Sequence, residues 1–281
     1  MEKEHESLDT LHTHTHTDTS FKEMINTITL GDSTKLLKNI PSESIDLIVT
    51  DCPYRIVNGG CSKGAYGNGK NQKQCGGMLK KSTKHINLGG IFDDEDYTTY
   101  AKQGKLFKHN DIDFSEWLPE VFRVLKQETH CYIMINARNL KELQQKAEQV
   151  GFKYLQLLVW KKNNATPNRY YLNNAEFILM LRKGRAKNIN DMGTKNVIEI
   201  NNIIGNKKHP TEKPVNLMKV FIRNSSNEND IVLDPFSGSG STCIASKELN
   251  RRFIGIELDE KYHKISLERL NSKEKFEQMS F

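Results

Sequence analysis

An α/β fold with a doubly wound, mostly parallel sheet is predicted for this 281-residue chain by three observations. Short apolar runs of β type alternate with segments of helical spacing from Ile25 to about Leu270. The runs at Ile45–Thr50 and Ile231–Leu233 read as buried strands, each followed at once by an acidic residue and turn chemistry. The second of these turns carries Gly238 and Gly240 before a helical segment, and open α/β sheets place ligands at such strand ends.

The elements follow in order. Ile25–Leu30 is a short strand closed by Gly31-Asp32-Ser33, and a helix from Thr34 to Asn39 leads through Pro41 into the Ile45–Thr50 strand. Phe114, Trp117, Leu118, Val121, Phe122 and Leu125 have helical spacing; Pro119 falls in the first turn if Ser115 is the cap. Cys131–Ile135 is a buried strand, and the next helix carries Leu140, Leu143, Ala147 and Val150 and stops at Gly151. Two β runs, Tyr154–Trp160 and Glu176–Leu181, flank the polar stretch Lys161–Asn174. A helix after Pro214, the Ile231–Leu233 strand, a helix through Leu249, the Phe253–Glu257 strand and a last helix from Asp259 complete the order.

Between and before these elements the composition changes. Residues 1–21 lack apolar periodicity and contain His12-Thr13-His14-Thr15-His16-Thr17, which reads as a disordered, His-rich tail ahead of a domain at 22–281. Such a tail lacks the surrounding groups that fix a metal ligand, so no metal site is assigned to it or to the widely spaced Cys61 and Cys75. A basic insertion occupies about 55–113. From Cys52 to Phe92 it has no acidic residue, but it carries Arg55, Lys63, Lys70, Lys73, Lys80, Lys81 and Lys84 among recurrent glycines. It reads either as a solvated loop or as a lid that contacts phosphates. A second basic segment, about 182–208, opens with Arg182, Lys183 and Arg185 and is a further candidate for DNA contact and target recognition.

The hydrophobic share is 36% and the mean hydropathy −0.64, low enough that polar loops or tails must take part of the length. A net charge of +6 with pI near 8.9 biases the chain toward a polyanionic partner. Five scattered cysteines do not make a disulfide framework, so a reducing cytoplasm is expected. No apolar run approaches a membrane span.

Asp51-Cys52-Pro53-Tyr54 combines a carboxylate, a main-chain carbonyl, a ring-locked residue and an aromatic face at a strand end. That set suits a flat, extruded base whose exocyclic amine is to be modified: two acceptors for its N–H groups and one ring to stack on. In the second turn, Asp234-Pro235-Phe236-Ser237-Gly238-Ser239-Gly240-Ser241-Thr242, the glycines allow close backbone approach to a ligand. Glu257 ends the next strand, where a carboxylate can accept both ribose hydroxyls of an adenosine. The loop lacks the lysine of a phosphate-binding loop.

These motifs resemble the amino-group DNA methyltransferases, whose tetrapeptide is usually Asp-Pro-Pro-Tyr and whose cofactor motif is Phe-x-Gly-x-Gly. Gly31-Asp32-Ser33, Trp160-Lys161-Lys162 and His209-Pro210-Thr211-Glu212-Lys213-Pro214 extend the resemblance from about Thr29 to Leu270. With the catalytic motif first and the cofactor motif last, the chain looks like the permuted β group. The resemblance implies a Rossmann-like class I methyltransferase fold, S-adenosyl-L-methionine as cofactor and methylation of double-stranded DNA at adenine N6. It makes Asp51, Cys52, Pro53 and Tyr54 catalytic. Asp32, with Ser33 beside it, would meet the cofactor adenine and Glu257 its ribose. Thr211 and Lys213 would hold the methionine carboxylate, and Asp234, Pro235, Phe236, Gly238, Gly240, Ser241 and Thr242 would form the loop. It also admits a homodimer and a cognate restriction nuclease as partners. Cytosine-N4 methylation and a non-catalytic DNA-binding or cofactor-sensing role stay open as alternatives. The sequence departs from the family at Cys52, which replaces the first proline, and in a short stretch for target recognition.

Overall fold

The computed structural model describes residues 20–54, 112–166, 171–205 and 212–272. The His-rich tail to residue 19, residues 55–111 of the basic insertion, and Thr211 lie outside the described residues. In chain order the elements are α1 (Phe21–Met24), β1 (Thr27–Leu30), α2 (Ser33–Leu36) with a 3₁₀ turn at Leu37–Asn39, β2 (Ile45–Asp51), α3 (Phe114–Val124) and β3 (Leu125–Ile135). They continue with α4 (Leu140–Val150), β4 (Lys153–Thr166), β5 (Asn173–Lys183), β6 (Val197–Glu199), α5 (Val215–Ser225), β7 (Ile231–Asp234), α6 (Ser241–Glu248), β8 (Arg252–Glu257) and α7 (Glu260–Asn271).

One eight-stranded sheet has the order β1-β8-β7-β2-β3-β5-β4-β6. The block from β1 to β3 is parallel throughout, and β5 runs antiparallel to both β3 and β4. The doubly wound, mostly parallel sheet is therefore present. Alternation along the strands divides the core: Cys131, Ile133 and Ile135 face one apolar layer with α3 and α4, while Tyr132 and Met134 face the other with α5 and α6.

Three expectations change. Helix α3 is capped by Asp113, not Ser115: Asp113 Oδ1 accepts from Ser115 N at 2.8 Å, and Glu116 Oε1 accepts from Asp113 N at 2.8 Å. This capping box starts the helix earlier and leaves Pro119 in its interior rather than in the first turn. The helix tolerates the proline because Phe114, Trp117, Leu118, Val121 and Val124 are all buried on one face. Such burial stabilises by about 1.5–3 kcal/mol per large side chain. The tail expected to run to residue 21 also ends sooner, since Ser20 caps α1, which begins at Phe21. β4 continues to Thr166 and β5 begins at Asn173, so both strands extend into the polar stretch after Trp160. No helix among the described residues is long and apolar enough to cross a membrane.

Candidate active site

The parallel register brings the two strand-end motifs together. β2 lies beside β7, with Ile48 paired to Leu233, so Thr50 and Asp234 become neighbours. The Thr50 hydroxyl donates to Asp234 Oδ1 at 2.7 Å in a buried bridge. Asp234 Oδ1 also accepts from Phe236 N at 3.1 Å, and Thr242 donates to the same carboxylate. Burial pushes Asp234 up to about 6 against those three hydrogen bonds. Asp234 thus clamps the glycine loop onto β2.

Asp51 follows Thr50, with about a quarter of its side chain exposed. The next residue turns inward: Cys52 is buried in the core, and its thiol donates to Met134 O at 3.7 Å. The cysteine side chain therefore serves packing. Pro53 and Tyr54 are half-buried beyond it. Burial pushes the Tyr54 phenol up, with Asp51 adding to the shift, so the ring stays neutral.

Lys213 closes on Asp51. Its Nζ is in contact with Asp51 Oδ2 and lies 3.6 Å from Glu176 Oε2, and only a tenth of the lysine side chain is exposed. Burial works against the ammonium, but Asp51, Glu176 and Tyr54 more than offset it, so the lysine keeps its proton. Burial pushes the Asp51 carboxyl up and Lys213 draws it back. Glu176 Oε1 accepts in turn from Lys162 Nζ at 2.9 Å. The lysine expected to anchor the methionine carboxylate is thus found against Asp51, the carboxylate of the strand-end tetrapeptide.

On the glycine loop, Gly238 and Gly240 have φ of 52° and 80°, a conformation that side-chain-bearing residues rarely adopt. A Cβ on Gly240 would stand 3.1 Å from Ile28 and 3.2 Å from Ser266, so that glycine also permits close packing of α6. Glu257 Oε2 accepts from Gly238 N at 2.7 Å, and its Oε1 accepts from Asp259 N at 2.8 Å. Burial pushes Glu257 up to about 7 despite those two bonds. β1 runs alongside β8 with Leu30 opposite Glu257, which sets Asp32 beside it. Asp32 caps α2 through Thr34 N at 2.9 Å, while Ser33 donates to Pro235 O and ties this corner to the loop. Phe236 meets the edge of Trp117 at 5.2 Å between ring centroids. Arg269 on α7 donates to Ser239 O at 2.5 Å, approaches Ser241 Oγ at 3.4 Å and pairs with buried Glu212 at 2.8 Å. The Ser237 hydroxyl is buried with no hydrogen-bond partner among the described residues.

Of the basic candidates, Arg55, Lys63, Lys70, Lys73, Lys80, Lys81 and Lys84 lie outside the described residues. Lys183 is a correction. It is buried, donating to Phe122 O at 2.9 Å and Leu125 O at 2.7 Å and pairing with Glu43 at 3.3 Å. Its ammonium satisfies the chain end of α3 rather than a phosphate. β5 antiparallel to β3 puts Lys183 opposite Thr129, whereas Met134 lies opposite Asp51. Lys183 is thus about 16 Å along the sheet from the catalytic edge. Arg182, which donates to Gly184 O, and exposed Arg185 share that far end. Sequence reasoning missed Thr50, Glu176 and Lys162. The signal for Glu176 was present: a lone charge opens the apolar run Phe177-Ile178-Leu179.

Comparison with known proteins adds to this geometry. A DNA methylase family, that of the N6 and N4 methyltransferases, matches residues 45–268. The type II methyltransferase M2.LlaDCHI of Lactococcus lactis subsp. cremoris is 32% identical over 260 residues, covering 86% of this chain and 87% of that protein. The crystal structure of the M1.HpyAVI–SAM complex superposes with a TM-score of 0.58 at 25% identity, over 88% of this chain and 99% of that one. The cytosine-N4-specific PvuII DNA methyltransferase superposes at 0.62 over 88% of this chain and 89% of that one; at 19% identity this shows likeness of fold alone.

Proposed function

The chain belongs to the amino-group (N6/N4) DNA methyltransferase family, and from that premise we propose that it methylates the N6 amine of an adenine extruded from double-stranded DNA. The cofactor is S-adenosyl-L-methionine, which supplies an electrophilic methyl group on a sulfonium. The residues present fit such a nucleoside: a strand-end carboxylate at Glu257, left-handed glycines at 238 and 240, and an orphan buried hydroxyl on Ser237.

The observation that carries the reading is the juxtaposition at the β2–β7 edge. Asp51 keeps about a quarter of its side chain exposed while the Cys52 side chain is held in the core, and the Thr50–Asp234 bridge fixes the glycine loop next to both. The adenine amine is a poor nucleophile because its lone pair is delocalised into the ring. The Asp51 carboxylate and the Cys52 carbonyl accept its two N–H bonds, which returns electron density to nitrogen and aims the lone pair. Tyr54, neutral and half-buried, stacks on the base. The nitrogen gains the methyl group and gives up one proton as it does so. Burial pushes the Asp51 carboxyl up, and the Lys213 ammonium in contact with it favours the charged form. Asp32 and Glu257 hold the adenosine and Thr211, just ahead of α5 in the chain, holds the methionine carboxylate, whereas Lys213, expected there too, is engaged by Asp51 and Glu176 instead. An aspartate at position 51, where the cytosine-N4 members usually carry serine, supports adenine as acceptor. A homodimer and a cognate restriction nuclease accord with this reading.

Sequencing the DNA of a bacterium that expresses the protein, with detection of modified bases, tests acceptor and site together. N6-methyladenine at one recurring sequence is expected. N4-methylcytosine instead would overturn the adenine assignment, and unmodified DNA would favour a binding role.

A further inference from the structure

We infer that Glu176 is a positioning residue for methyl transfer: it shares the Lys213 ammonium with Asp51, and so leaves the Asp51 carboxylate a stronger acceptor for the target amine. The inference rests on the reading of Asp51 as that acceptor. Three strands and the segment ahead of α5 contribute to a row of alternating charge: Asp51 at the end of β2, Lys213 before α5, Glu176 on β5 and Lys162 on β4. Lys213 touches Asp51 and stands 3.6 Å from Glu176; Glu176 stands 2.9 Å from Lys162, whose ammonium lies 5.8 Å from the Trp160 ring centre. The side chains of Lys213 and Lys162 are only 10% and 9% exposed, so little water screens the two ammonium groups, while Asp51 and Glu176 keep 25% and 33% of theirs open to solvent.

A carboxylate closed onto one buried ammonium is a poor acceptor for anything else, because the cation draws off its electron density. With a second carboxylate in reach, the ammonium divides its N–H groups and its field, and Asp51 regains acceptor strength without losing its charge. Lys162 sets how strongly Glu176 competes by neutralising part of it. The other groups facing Asp51 are Tyr54 and Cys52, both neutral, and Asp234 across the Thr50 bridge. None of these touches Lys162, so the row can be tuned from its far end.

That arrangement gives opposite signs for its two outer members, which mere structural damage would not. The test measures tritiated methyl transfer to long, unmethylated duplex DNA of mixed sequence, at saturating DNA and cofactor, from acid to neutral pH. In Glu176→Gln the ammonium loses a competing carboxylate and binds Asp51 more tightly: plateau kcat drops about ten-fold or more, and the acid limb of the profile moves to lower pH. In Lys162→Met the freed Glu176 pulls harder on Lys213, and the acid limb moves to higher pH. KM for DNA and for cofactor holds within about three-fold in both. Limbs that shift in the same direction, or do not shift, overturn the inference. If Glu176→Gln melts below the assay temperature, the direction in Lys162→Met alone decides it. Asp51→Asn separates the premise from the inference. Wild-type turnover in that variant sinks the reading of Asp51 and the inference with it, whereas an inactive Asp51→Asn beside unmoved outer variants sinks only the role of Glu176.

Discussion

Cys52 shows how one residue can leave a motif and keep its chemistry. Its side chain packs in the core and bonds Met134 O, so what it offers the crevice is its carbonyl, which every residue has. Cys52→Ala should then keep kcat within about three-fold and lower stability by about 1 kcal/mol from the small void, read from turnover and urea unfolding. Asp51→Ala should differ sharply. If the carboxylate faces the amine as proposed, methyl transfer falls by orders of magnitude, while calorimetry finds S-adenosylmethionine affinity within a few-fold. Comparable turnover in the two proteins would remove Asp51 from the chemistry. Glu257 supplies a pH signature. Its carboxyl titrates near 7 in the free protein because it is buried, and ribose hydroxyls need the ionised form as acceptor. Below that pH, cofactor binding must first expel a proton, so affinity should fall about ten-fold per unit of acidification and level off above it. Glu257→Ala should weaken binding by about 1.5–3 kcal/mol at neutral pH and remove this slope; a slope that survives would place the proton elsewhere.

At the scale of elements, periodicity ordered the long strands and helices, because buried strands and one-sided helices write their burial into spacing; the four-residue α1 and three-residue β6 were too short to carry a period and were not foreseen. Ile45–Thr50 and Phe114–Leu125 are plain cases. Contacts between elements were less legible. The Thr50–Asp234 bridge spans two strands that are far apart in sequence but adjacent in the sheet, and no local pattern announces that adjacency. The row from Lys162 to Asp51 joins three strands and the segment ahead of α5 in the same way. Lys183 misled for a related reason: a lysine in a basic stretch looks exposed, yet three chain carbonyls at the end of α3 and start of β3 turn it inward. Lys183→Met should therefore cost about 2–4 kcal/mol of stability, since it strands buried carbonyls, and should leave the salt dependence of DNA binding unchanged. Denaturant melts and salt titrations of the same preparation separate the two effects. A flattened salt slope in a fully stable variant would restore Lys183 as a phosphate contact.

For the whole molecule, the distribution of positive charge decides how it holds DNA. The far-end cluster loses Lys183 to the core and stands about 16 Å from the catalytic edge. The proposal for sequence-independent affinity then rests on Arg55, Lys63, Lys70, Lys73, Lys80, Lys81 and Lys84, which follow the Asp51–Tyr54 tetrapeptide directly in the chain without an intervening acidic residue. If these side chains meet phosphates, neutralising the six lysines should weaken binding on every duplex and flatten its salt dependence. The log–log slope changes by about 0.9 for each phosphate that the protein no longer neutralises, so engagement of even half of them is measurable. Cofactor affinity should hold, because Glu257 and the glycine loop belong to strands β7 and β8 at the other end of the sequence. A merely solvated insertion predicts that slope and affinity both stay put. A third outcome is informative too: a variant that methylates different sites would show that the insertion reads bases as well as phosphates, and Arg182 and Arg185, at the far edge of the sheet, would then not be needed for recognition.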